Sequence, residues 1–216
     1  MDIPRPAVPS ERLAGWAETE STVEEAFSTP VVTVHTHTVV YEEAEERGRI
    51  HQQTGLDFPW RFFFSSRIRL QPARNPSKVL TSLIRRKATD AFTDRLATRG
   101  FQQVSERHRE ETTIGGADGL RVEYRGVIRH EIESTSDTEG SDGTGGDARG
   151  LLTLPVAAVL AVWNADDDYH VAGGGYPAGP PDSGPNELTE YLSKTFDSAA
   201  AREKLDALID GCGPSS

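Results

Sequence analysis

The stretch LRVEYRGVIRHEI, residues 120–132, alternates apolar and charged side chains with the two-residue period of a β-strand. The apolar positions are Leu120, Val122, Tyr124, Ile128 and Ile132, and the charged ones are Arg121, Glu123, Arg125, Arg129 and Glu131. Because successive side chains of a strand point to opposite faces, one face packs and the other meets water. The stretch therefore predicts an antiparallel sheet with one buried face.

The segments around this strand extend the same plan. A helix is predicted after Asn75 or Ser77, with Pro76 in its first turn, apolar residues at three- and four-residue steps, and Gly100 at its end. A terminal helix is predicted over 186–210, with a break near Asp197. Strands are predicted over 31–41, 61–70, 101–114, 120–132, 151–163 and 169–176. The predicted fold class is α+β, an antiparallel sheet with helices packed on one face, in the order β-β-α-β-β-β-β-α.

The chain divides into three parts on this interpretation. Residues 1–30 form an N-terminal arm, with a possible short helix from Ser10 to Glu25. Residues 31–211 form a single α+β domain, interrupted at 134–150 by an acidic loop that lacks large apolar residues and is predicted to be disordered. Residues 212–216 are predicted to be a frayed tail that carries Cys212, the single cysteine, as a free thiol.

The charge balance limits the classes of partner. A net charge of -11 and a pI near 5.0 disfavour nucleic acid, because a polyanion is repelled. Only four positive charges are lysines, at 78, 87, 194 and 204, a bias typical of proteins from salt-loving archaea. The longest apolar run, 151–163, is shorter than the roughly 20 residues of a membrane helix, and no secretory signal is recognisable. We therefore expect a halophilic, cytoplasmic protein with no membrane contact.

The stretch VVTVHTHTVVYE, residues 31–42, places two histidines on one face of a strand. Two imidazoles at this spacing suit a transition metal. With Glu42 after them, the stretch resembles the first metal motif of the cupins. That resemblance implies a metal-dependent small-molecule enzyme with one transition metal ion, held by His35, His37 and Glu42, with His170 completing the set. The alternative is a polar strand face that meets water.

An aromatic run, Trp60 with Phe62, Phe63 and Phe64, lies on the second predicted strand. Either both faces of that strand are covered, or one face is a docking patch. The second interpretation predicts a protein partner that binds Trp60, Phe62 and Phe64. A third hypothesis is a small apolar ligand between sheet and helix, in a pocket lined by Phe62, Phe92 and Tyr124.

The segment 75–126 combines a helix that ends in LATRGF, a polar strand, the turn GGADG and the strand start LRVEYRG. In this plan it resembles the PsbP and Mog1-like α+β proteins and small uncharacterised archaeal proteins of the same plan. The resemblance implies a binding or accessory role with no shared catalytic residues. We therefore predict a non-enzymatic binding or accessory domain, with no catalytic residue assigned. The cupin-like metal enzyme is the alternative.

Overall fold

The fold is a seven-stranded antiparallel sheet with helices, seen in a computed structural model that describes residues 3–74, 76–132 and 150–213. The predicted α+β class and antiparallel sheet are confirmed. The strands lie in the order β1-β2-β3-β7-β6-β5-β4. They are β1 (Trp16–Ser28), β2 (Thr33–Glu43), β3 (Phe62–Gln71), β4 (Phe101–Ile114), β5 (Ala117–Ile132), β6 (Gly150–Ala165) and β7 (Asp168–Pro177). The helices are α1 (Ala44–Thr54), α2 (Lys78–Thr98), α3 (Asn186–Thr195) and α4 (Ser198–Asp210), with a 3-10 turn at Ser10–Arg12.

Two tight turns join neighbouring strands in the sheet. Gly115 and Gly116, with φ of 55° and 92°, connect β4 to β5, and Asp166 and Asp167, with φ of 50° and 63°, connect β6 to β7. Two-residue hairpin turns with positive φ at both positions match the twist of antiparallel strands, and Gly and Asp tolerate that conformation. The turn predicted at GGADG is therefore confirmed, at Gly115 and Gly116. The predicted disordered loop at 134–150 lies outside the described residues, except for Gly150, which begins β6.

Helices cover both faces of the sheet, which corrects the prediction that they pack on one face. Buried residues of α1, α2 and α3, among them Ile50, Phe92 and Leu192, pack on one face. Helix α4 packs Leu205 and Leu208 on the other. Part of the charged side of β5 is covered by α4, because Arg121 and Glu123 form ion pairs with Asp206 and Arg202 of that helix.

The first strand replaces a predicted helix. Residues Trp16–Ser28 pair antiparallel with β2, so the helix predicted from Ser10 to Glu25 is wrong apart from the short 3-10 turn. Most of β1 is exposed, and it carries Glu18, Glu20, Glu24 and Glu25. The opposite edge, β4, is likewise exposed and charged from Glu106 to Glu111. Charged edge strands are a common means of preventing sheet-to-sheet pairing.

Capping residues fix the ends of the helices. Ser77 caps α2 by accepting a hydrogen bond from the Leu80 amide, and Asp197 caps α4 by accepting from the amides of Ala199 and Ala200. Asp197 thus produces the predicted break between α3 and α4. The other predicted cap of α2, Asn75, lies outside the described residues. None of the helices in the described part of the chain is long and apolar enough to cross a membrane.

Both chain ends pack on the domain. Ile3 is 3% exposed, and Pro9 would meet any side chain added at Gly211. Cys212 is 4% exposed and belongs to the core beside α4, so the prediction that it lies on a frayed tail is wrong. Burial raises the pKa of the Cys212 thiol to about 12, which keeps it protonated. Residues 214–216 of the predicted tail lie outside the described residues.

Three consecutive glycines, Gly173 to Gly175, lie in the middle of β7. A Cβ at Gly174 would overlap the Phe62 carbonyl oxygen and would lie 2.7 Å from Leu205 Cδ1. A Cβ at Gly175 would lie 2.7 Å from the Phe62 ring and 2.8 Å from the Phe101 ring. These positions need glycine because other atoms already fill the space of a side chain.

We expect Gly174→Ala to lower the free energy of unfolding by about 3 kcal/mol, because backbone of β3 and a side chain of α4 must move. Gly48→Ala is the matched control: Gly48 lies in α1 with nothing within 4 Å of the added Cβ, and alanine favours a helix. Urea unfolding of both variants measures the difference. Equal loss in the two variants would contradict this account of β7.

Candidate ligand-binding cavity

The two predicted metal-ligand histidines lie on the face of the sheet that also carries α4. His37 Nδ1 donates a hydrogen bond of 2.9 Å to the carbonyl oxygen of Ile3, and its Nε2 lies 3.4 Å from Ser21 Oγ. Both ring nitrogens of His37 therefore have partners in the N-terminal arm and β1. His35 Nε2 is buried, and no hydrogen-bond partner for it lies among the described residues.

Glu42 does not join these histidines. It follows His37 by an odd number of residues on β2, so it lies on the opposite face of the sheet. There its carboxylate accepts hydrogen bonds of 2.8 Å from Arg47 and 3.0 Å from Arg99. The cupin-like ligand set is wrong, because strand alternation separates the carboxylate from the imidazoles.

His170 shares the face of His35 and His37 but is separated from them by β3. Arg67 pairs with His37 on one side and with His170 on the other. The His170 ring stacks on Trp163, with centroids 5.5 Å apart, and burial, reinforced by the charge of Arg67, lowers its pKa. Among residues 3–74, 76–132 and 150–213, no three His, Cys, Asp or Glu side chains are grouped to hold a metal ion.

An ion cluster of Arg67, Arg69 and Asp168 occupies the space between these histidines. Asp168 accepts hydrogen bonds from Arg67 Nε at 2.5 Å and from Arg69 Nε at 3.1 Å, and its side chain is 9% exposed. Its neighbours in the turn, Asp166 and Asp167, are exposed. The acidic tip of the hairpin therefore contains one structural carboxylate and two solvated ones.

The predicted docking residues are buried. Trp60, Phe62 and Phe64 are 6%, 2% and 5% exposed, so the prediction of an exposed aromatic patch is wrong. Trp60 packs against Phe196, with centroids 5.3 Å apart, and Phe64 packs against Phe92 at 5.6 Å. The alternative that both faces of β3 are covered is the one that the structure adopts, since Phe63 is also fully buried.

A cavity of about 310 Å³ lies between α2 and the sheet, on the face opposite α4. The space exists because small residues line it. These are Thr36 and Thr38 of β2, Ser66 of β3, and Ala88 and Ala91 of α2. Its remaining lining residues are Glu24, Ala26, Phe27, Val34, Phe64, Ile68, Ile84, Lys87, Asp90, Phe92, Asp94, Arg95 and Val171. The volume lies at the lower end of the range for small-molecule sites.

The cavity is apolar with a few polar groups. Thr38 and Ser66 hydroxyls hydrogen-bond to each other at 2.8 Å on the floor. Arg95 stacks on the Phe64 ring, with Cζ 5.4 Å from the centroid, and burial lowers its pKa. Glu24, Lys87, Asp90 and Asp94 are exposed at the rim. Arg95 is thus the charged group of the cavity that is partly withdrawn from water.

The pocket predicted from sequence overlaps this cavity only in part. Phe92 lines the cavity as expected, but Phe62 and Tyr124 do not. Phe62 packs edge-on against Phe101, and Tyr124 packs edge-on against Phe92, both within the adjacent core. A space between sheet and helix is present as predicted, but its lining residues come mainly from β2, β3 and α2.

The model of a family described as a domain of unknown function, DUF6517, matches residues 5–213. The chain belongs to the DUF6517 family. The matched range includes β1 and the N-terminal arm from residue 5 onward, so these segments belong to the same DUF6517 domain as the rest of the sheet. Searches of the curated proteins and of the solved structures gave no match.

We expect Asp168→Asn to lower the free energy of unfolding by about 2 kcal/mol, because two arginines that are partly buried lose their carboxylate. Asp167→Asn is the control, since Asp167 is exposed and asparagine also tolerates its positive φ of 63°. Urea unfolding compares the variants. An Asp168→Asn protein as stable as the Asp167→Asn protein would refute the structural role of Asp168.

Proposed function

We propose that this DUF6517 domain is a non-enzymatic binding domain that holds a small molecule in the cavity between α2 and the sheet. The observation that carries the proposal is the cavity itself, a space of about 310 Å³ with mainly apolar walls between α2 and the sheet. A concave, mainly apolar space with a few convergent polar groups is typical of a ligand site.

The cavity wall favours binding over chemistry. Its lining includes no histidine or cysteine among the described residues, and the two buried hydroxyls, on Thr38 and Ser66, bond to each other. Nucleophilic catalysis needs a hydroxyl or thiol beside a base, and these two hydroxyls have each other as partners instead. The non-enzymatic interpretation of the sequence is therefore retained as part of the proposal.

A neutral apolar dye, N-phenyl-1-naphthylamine, tests the cavity. We expect saturable fluorescence enhancement in the parent protein. In Ala91→Trp, a bulky ring at an exposed lining position of α2 should weaken dye binding by about tenfold or more. Ala97→Trp is the control, because Ala97 is also exposed on α2 and does not line the cavity. Equal dye binding by Ala91→Trp and Ala97→Trp would exclude the cavity as the ligand site.

We further propose that the domain works in the cytoplasm of a halophile. In support, the sequence contains 34 acidic and 23 basic residues, and only four of the basic residues are lysines. Salt at about 1 M shortens the screening length to about 3 Å, which relieves the repulsion within an acidic surface.

We expect the thermal unfolding midpoint to rise as KCl increases from about 0.2 M to about 3 M, because screening removes self-repulsion of the folded chain. Differential scanning fluorimetry measures the midpoint. Sucrose, which strengthens burial without screening charge, serves as the control. A midpoint that responds to sucrose and not to KCl would argue against adaptation to salt.

A further inference from the structure

Arg95 in the last turn of α2 and Arg99, the residue that follows α2, lie over alternate phenylalanines of β3. Arg99 Cζ lies 4.4 Å from the centroid of the Phe62 ring, and Arg95 Cζ lies 5.4 Å from that of Phe64. Residues four apart on a helix share a face, and residues two apart on a strand do so as well, so the two pairs repeat the same geometry. The repeat allows the surroundings of the two guanidinium groups to be compared position by position.

Arg99 has a carboxylate partner that the strand register supplies. Glu42 lies directly opposite Phe62 in the pairing of β2 with β3. Its carboxylate accepts a hydrogen bond of 3.0 Å from Arg99 while Arg99 stacks on Phe62. The charge of Arg99 is therefore balanced within the protein.

At Arg95 the equivalent position holds an apolar residue. Val40 lies opposite Phe64 in the same register and is fully buried. Glu20 and Glu24 of β1 favour the charged state of Arg95, but no carboxylate oxygen of the described residues comes within 4.0 Å of its guanidinium. Desolvation is the larger effect, and it lowers the pKa of Arg95. The Arg95 guanidinium thus borders the cavity without a carboxylate partner like the one that Glu42 provides for Arg99.

The Arg95 guanidinium lies over the Phe64 ring at the wall of the cavity. Arginine carries five N–H donors in a fork that matches the two oxygens of a carboxylate. A charged group that is partly withdrawn from water gains most when an opposite charge approaches in the same environment. The cavity therefore lacks, at Arg95, the group that Glu42 provides at Arg99.

We propose that the natural ligand of the cavity is a small carboxylic acid, whose carboxylate pairs with Arg95 and whose apolar body lies against Phe64 and Phe92. This proposal rests on the proposed function of the same cavity. Glu24, Asp90 and Asp94 at the rim are exposed, so solvent and salt screen their repulsion of an anion. Arg95 acts at short range, where screening is weaker.

Displacement of the bound naphthylamine dye by three probes with the same chain separates the head groups. Octanoate, octanamide and octylamine are compared at neutral pH, at concentrations below micelle formation. We expect octanoate to displace the dye at a concentration at least about tenfold lower than either of the others, as for a charge-assisted hydrogen bond. Equal displacement by octanamide, or tighter binding of octylamine, would overturn the carboxylate assignment.

Substitution of Arg95 tests the residue itself. In Arg95→Gln the preference for octanoate over octanamide should disappear, and Arg95→Lys should restore part of it, since lysine keeps the charge and loses the fork. Arg86→Gln is the control, because Arg86 is an exposed arginine of α2 that does not line the cavity. A preference that survives Arg95→Gln would overturn the role of Arg95.

The outcomes distinguish the carboxylate proposal from the proposal that the cavity binds a small molecule. Dye binding that Ala91→Trp abolishes, with no head-group preference among the octyl probes, would leave the cavity function standing and remove the carboxylate ligand. Failure of the dye to bind the parent protein would remove both. Thermal unfolding of each variant checks that it is folded, and the head-group series on the parent protein needs no variant at all.

Discussion

Strand β7 closely approaches the elements packed on both of its faces. Gly173, Gly174 and Gly175 carry no side chains, so Phe62 and Phe101 fill the space above one face and Leu205 of α4 fills the space above the other. A side chain at these positions would push either β3 or α4 away. Because β3 carries Phe62 and Phe64, the stacking of Arg95 and Arg99, and hence the shape of the cavity, also depends on this contact.

Much of the fold could be predicted because its strands have strong local patterns. The alternation in 120–132, the turn chemistry of Gly115–Gly116 and Asp166–Asp167, and the cap at Asp197 act over a few residues, and the structure contains each of them. Strand β1 was missed because an edge strand that is mostly exposed has no apolar row to reveal it. The second covered face was also missed, although the run at 151–163 is apolar at both odd and even positions, as a strand buried on both sides requires.

The candidate site was less predictable because its parts lie far apart in sequence. Thr36, Ser66 and Ala88 are unremarkable one by one, and the space appears only when β2, β3 and α2 bring three small residues together. By contrast, the sequence alone indicates which residues of a strand share a face. Glu42 is five residues from His37, and an odd separation on a strand means opposite faces. Similarly, only the register of β2 with β3 reveals that Glu42 lies opposite Phe62 while Val40 lies opposite Phe64.

The two edges of the sheet differ in the kind of charge that protects them. Strand β1 is guarded by carboxylates alone, whereas β4 also carries Arg107 and Arg109. A strand that approaches β1 therefore meets charged side chains of one sign, whereas a strand that approaches β4 meets both signs. Strand addition at β1 would favour a basic strand, and strand addition at β4 would require a matching pattern of charges.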